Sequence, residues 1–144
     1  MDRSKVNKRM KKQRIPRGIR NNNPLNIRVG NNWKGEVSQP TDHAFEQFTE
    51  MKWGVWAAFV VLRNYIVRHK CNTIRKIISR WAPSNENNTQ RYIDIVSQLS
   101  GINPTEAIRY EDKTTMVSLV DAMIRVECGQ PVERRIIIKG YDLA

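Results

Sequence analysis

"MVSLVDAMIRVECGQP", residues 116–131, decides the fold and raises the question of function. Met116, Leu119, Val120 and Met123 recur at helical spacing and make one apolar face. Asp112 stands where a helix cap is expected, and Gly129 and Pro131 mark the end. Four residues beyond Met123 the same face presents Glu127. A carboxylate on an apolar face costs free energy unless it is paired or protonated. Burial and a helix C-terminus both disfavour negative charge, and such surroundings suit a general acid near neutral pH. The plainer reading is a frayed helix end, with Glu127 in solvent or bonded to Arg125 or Arg134.

Working back along the chain, more helices are expected. Val55, Phe59, Leu62 and Ile66 make a stripe over about 51–69. Asn72 or Thr73 caps a second helix, with Ile74, Ile77, Ile78 and Trp81 on one face and Pro83 as its stop. Asn87 with Gln90 resembles a capping box for a third helix, carrying Tyr92, Ile95, Val96 and Leu99 and ending at Gly101. "NPTE", 103–106, reads as a short helix with Pro104 in its first turn. The β signals are weak: "HAFEQF", 43–48, and "RRIIIKG", 134–140, read as short strands, and a small sheet is expected from parts of 24–49 and 134–139. The sum is a mainly α fold with a small β element.

Residues 17–36, "RGIRNNNPLNIRVGNNWKGE", are turn-rich yet carry Ile19, Leu25, Ile27 and Trp33 as apolar anchors. The 144 residues carry a net charge of +11. Residues 1–20 account for +8 of it and the remainder for +3. Residues 1–16 therefore read as a basic disordered arm and 17–144 as one folded domain. Such an arm is drawn to polyanions: nucleic acid, an anionic membrane surface or an acidic wall polymer. No apolar run approaches a membrane span, and the N-terminus lacks a secretory apolar stretch, so synthesis in the cytoplasm without a signal peptide is expected. Cys71, Cys128, His43 and His69 match no metal-ligand spacing, and neither a metal nor a cofactor is expected.

Several polar residues are candidates beside Glu127. Glu86, just before a helix start, is the reserve acid. Asp42 and Glu46 are candidates for a second carboxylate, although they and Glu36 read as solvated loop residues. Of four tryptophans, Trp33 in the polar loop is the one suited to stacking on a ligand; those on helices read as core.

"RGIRNNNPLNIR", "HAFEQF", "WGVWA" and "RWAPSNENNTQRYIDIV" together resemble small phage and prophage lysozyme-like proteins, some of them virion structural proteins. The resemblance runs from Arg17 to about Gly129. "DAMIRVECGQP" is similar to the acid-bearing helix end of soluble lytic transglycosylases and goose-type lysozymes, with Cys128 where Ser is usual. "NNPLNIR" with "WKG" is similar to the loop that follows that acid in flagellar and autolytic glucosaminidases, and "ENNTQRYIDIV" to the Tyr-bearing helix of the soluble lytic transglycosylases and goose-type lysozymes. The pieces stand in rotated order, which implies a circularly permuted lysozyme-like domain whose termini lie close together. The implied activity is cleavage of the peptidoglycan glycan strand by a lytic transglycosylase or muramidase, in phage lysis or cell-wall entry. Glu127 is then the acid, and Asn23, Asn26, Trp33, Thr89 and Tyr92 bind saccharide. The implied setting is the bacterial cell wall or the virion, with virion proteins as further partners. Two rival readings stand beside it: a non-catalytic virion or wall-binding protein of the same fold, and nucleic-acid binding through the arm.

Overall fold

A computed structural model describes residues 15–85 and 88–144. Among the described residues six helices follow in order: α1 (Arg17–Arg20), α2 (Met51–Val67), α3 (Ile74–Trp81), α4 (Thr89–Ser100), α5 (Lys113–Cys128) and α6 (Arg134–Leu143). The basic arm to residue 14, Glu86 and Asn87 lie outside the described residues.

α5 is the central helix. Met116, Leu119, Val120 and Met123 are buried, and so are Val117, Ala122 and Ile124, so its apolar surface is broader than one stripe. It packs on α4, α6 and α1. The Asp112 side chain accepts from Thr115 N, and Gly129 ends the helix at φ 68°. α2 buries Val55, Phe59, Leu62 and Ile66, and α3 buries Ile74, Ile77 and Ile78 behind the Thr73 cap. α4 is capped one residue later than the Asn87–Gln90 spacing suggests: Asn88 accepts from Arg91 N. Its buried face is Tyr92, Ile93 and Val96, while Leu99 turns outward.

Three expectations from the sequence are corrected. The 134–139 strand is a helix, α6, and it packs most extensively against α2. Ile136, Ile137 and Ile138 suggest a strand by β-branching, but the surface that decides is Ile137 with Gly140, whose backbone approaches Val55 and Trp56. Residues 103–106 are a turn, not a helix. The Asn103 side chain accepts from Thr105 N, and the Pro104 carbonyl accepts from Arg75 N, so the segment is spent on the first turn of α3. The small sheet is reduced to two antiparallel bridges, Arg28 with Phe45 and Glu36 with Phe48.

The asparagine-rich loop is a frame. Asn22 and Asn26 hold φ of 52° and 54°, the left-handed region that Asn tolerates better than most residues. Asn23 is fully buried; its amide donates to the carbonyls of Ile27 and Glu46 and its oxygen accepts from Ile27 N. The Asn22 amide donates to the Phe48 carbonyl, and Phe48 N donates to the Asn21 carbonyl. These bonds staple residues 21–27 to 46–48 and press the loop on α2 at Gly54, where a Cβ would sit 1.8 Å from the Asn22 carbonyl oxygen.

Candidate active site

The end of α5 meets the front of the chain. The Cys128 thiol donates to the Pro24 carbonyl at 3.2 Å, and Gly18 of α1 lies against Cys128 and Asn26. One residue before that anchor, Glu127 is half-buried and has both carboxyl oxygens engaged. The Asn26 amide donates to Oε1 at 3.0 Å, and the Tyr92 hydroxyl donates to Oε2 at 2.8 Å. Three segments far apart in sequence thus converge on one carboxyl group.

Glu127 lines a cleft of about 440 Å³ with Leu25, Asn26, Ile27, Arg28, Asn31, Phe45, Val61, Tyr65, Trp81 and Ala82. Its size lies in the range of ligand sites, and its walls combine aromatic rings with a few polar groups, as such sites do. Tyr65 and Trp81 meet edge to face, 6.0 Å between centroids, and the Arg80 guanidinium lies 5.1 Å from the Tyr65 ring. A second, wider depression beside α1 is lined by Arg17, Thr41, Asp42 and His43.

The candidates named from sequence divide. Asn26, Tyr92 and Glu127 come together. Tyr92 is buried, and burial followed by the neighbouring Glu127 carboxyl pushes its phenol well above its ordinary range, so it stays a donor. Burial, then Glu127, likewise pushes the Cys128 thiol up to about 11. Asn23 is spent on the loop. The Thr89 hydroxyl donates to the Ala82 carbonyl, tying the start of α4 to the wall of the cleft. Trp33 packs edge to face on Trp56 at 5.6 Å and is not among the residues lining the cleft.

The solvated reading of the loop carboxylates is corrected. Asp42 takes two bonds from Arg17, at 2.6 and 2.7 Å, and one each from the Asn21 side chain and the amides of Ala44 and Phe45. The Arg17 guanidinium foremost holds its carboxyl well below the usual range. Glu46 is only 7% exposed, because its backbone amide is paired to Ile27 and its side chain is turned inward beside Glu36. Burial first and Glu36 second push its carboxyl up to about 7. Neither Asp42 nor Glu46 lines the cleft, and Glu127 is the one carboxylate that does among the described residues.

Sequence reading missed Arg28, Phe45, Tyr65 and Trp81 as cleft residues. Trp81 had a signal, standing last in its helix just before Pro83, where an apolar stripe reaches the surface.

The chain is 38% identical over 131 residues to protein P5 of Pseudoalteromonas phage PM2, a match that covers 88% of this chain and 80% of the relative. It belongs to the family of that phage protein. No family model matches the chain. The kinship makes this a phage-related protein, and no helix among the described residues is long and apolar enough to cross a membrane.

Proposed function

We propose that this protein cleaves the glycan strand of peptidoglycan, with Glu127 as both acid and base. The observation that carries the reading is the Asn26–Glu127–Tyr92 triangle, which fixes a carboxyl group from both oxygens at the wall of an aromatic cleft. Glu127 gives its proton to the glycosidic oxygen as the bond from C1 to that oxygen breaks. The 6-hydroxyl of the same sugar then attacks C1 and returns its proton to Glu127, forming a 1,6-anhydro ring and consuming no water. This route needs one carboxylate. A hydrolase of the usual kind needs a second, roughly 5–9.5 Å away. The engagement of Asp42 with Arg17 and the burial of Glu46, which does not line the cleft, support the one-carboxylate route. The contact between the α5 end and the 17–26 segment supports a permuted lysozyme-like arrangement.

Kinship with a phage protein supports a task in wall passage or release, and immunoblotting of purified particles tells whether the protein travels in the virion. Purified peptidoglycan digested with the protein and read by mass spectrometry tests the activity. Anhydro-ended fragments are expected, and Glu127→Gln is expected to remove them while leaving the fold intact. General acid–base catalysis contributes roughly 10²–10⁴ in rate, so the loss should be plain. Equal, absent turnover in both proteins would favour the non-catalytic wall-binding reading.

A further inference from the structure

Resting on the glycan-strand reading, we propose that Arg28 is a specificity residue that binds a carboxylate carried by the saccharide. Arg28 lines the same cleft as Glu127. Its backbone bridges to Phe45, and the flanking bonds from Val29 N to the Ala44 carbonyl and from Glu46 N to the Ile27 carbonyl fix that pairing. Its guanidinium lies 5.2 Å from the centroid of the Phe45 ring. A second guanidinium, from Arg17, lies 4.4 Å from that centroid, but Arg17 is spent on Asp42. Arg28 has no such partner: no carboxylate among the described residues pairs with it.

A planar guanidinium held at an aromatic ring is suited to take a carboxylate through two parallel N–H bonds. Glu127 does not serve as that carboxylate: its oxygens accept from Asn26 and Tyr92, and no ion pair joins it to Arg28. The cleft therefore presents a neutral sugar with an acid at one place and an unpaired cation at another. In a peptidoglycan strand every second sugar bears a lactyl ether, whose carboxylate is either free or extended into an acidic peptide. Chitin fragments, built of N-acetylglucosamine alone, carry no such group.

The test measures dissociation constants by calorimetry for three soluble oligosaccharides: peptide-bearing, peptide-stripped with free lactyl carboxylates, and chitin-derived. The full chain is used as Glu127→Gln, with and without Arg28→Gln or Arg28→Lys. Turnover of the wild-type chain and of Arg28→Gln is followed in parallel. The carboxylate-bearing ligands are expected to bind about tenfold more tightly than the chitin fragments, as a charge-assisted bidentate contact can supply. Arg28→Gln should erase that preference, and Arg28→Lys should restore only part of it. A preference surviving peptide removal assigns the contact to the lactyl carboxylate; its loss assigns it to the peptide. Equal affinities for all three ligands, or a preference that Arg28→Gln leaves intact, would overturn the proposal. Absence of turnover by the wild-type chain would overturn the glycosidase reading instead, and the dissociation constants would still decide the role of Arg28.

Discussion

The Tyr92 hydroxyl donates to Glu127 Oε2 at 2.8 Å, joining α4 to α5 across 35 positions of sequence. Tyr92 is 7% exposed, so the phenol has little water to turn to, and its raised pKa keeps the proton on it at any working pH. Tyr92→Phe keeps the ring in the core and removes the donor. The expected result is about 1 kcal/mol lost from stability, the usual net worth of such a bond. On the proposed mechanism turnover should fall by roughly tenfold or more through misplacement of Glu127, since small errors of position are costly in catalysis. Thermal denaturation and kcat read the two effects separately; unchanged kcat would mean that Glu127 needs no orientation from Tyr92.

Gly54 lets the asparagine loop dock on α2. A Cβ there would lie 1.8 Å from the Asn22 carbonyl oxygen, a backbone atom between two amides that donate to the carbonyls of Ile19 and Gly18. Alanine is the better helix former by about 1 kcal/mol, yet overpacking against backbone costs more, roughly 1–3 kcal/mol or above. Gly54→Ala should therefore destabilise, and by shifting the loop it should move Asn26 off Glu127. Gly129→Ala is the control: nothing lies within 4 Å of its Cβ, and only the φ of 68° opposes it. Denaturant titration should rank Gly54→Ala as the more damaging of the two.

The parts of the fold legible in sequence were those where burial and capping agreed. α2, α3 and α5 carry helical stripes, those of α3 and α5 with caps beside them, and the stripe of α5 led directly to Glu127. α6 was illegible because three consecutive isoleucines suit a strand locally, while the close approach of Gly140 to Val55 is a tertiary fact. The asparagines show a similar limit. An amide that grips its own backbone, as in Asn23, looks the same in sequence as one that faces a cleft, as in Asn26. Trp81 read as core because an apolar ring at the edge of a stripe can pack inward and line a cleft together, while Tyr65 stands outside the stripe of its helix and gave no signal.

Cys128 stands beside Glu127 as a structural thiol. It is buried, its Sγ donates to the Pro24 carbonyl at 3.2 Å, and its pKa of about 11 leaves little thiolate at neutral pH. Serine offers a hydroxyl that can make the same bond with little change in volume. Cys128→Ser is expected to keep both fold and turnover, whereas Cys128→Leu should clash with Gly18 and the Pro24 turn. Native-state thiol labelling should modify the half-buried Cys71 well before Cys128; fast labelling at Cys128 would show that the contact between chain front and helix end opens readily.

Glu46 gives the loop a pH dependence whose sign is set by burial. Glu36 and Glu46 lie on paired segments, since Glu36 bridges Phe48 two residues further on. One oxygen of Glu46 is buried without a hydrogen-bond partner. The ordinary value of 4.5 rises to about 7 in the folded chain, through burial first and Glu36 second. Between these values the folded state binds more protons than the unfolded one, so stability must fall as pH rises. The contribution is complete below pH 4.5, declines through the window and is lost above about 7. Glu46→Gln keeps a donor toward Glu36 without a charge to bury. At pH 8 it should melt higher than the wild-type chain, and its melting temperature should vary less between pH 4.5 and 7. Opposing trends from other groups cancel in the difference between the two proteins. A difference that stays constant across the window would show that burial does not hold Glu46 protonated in the folded chain.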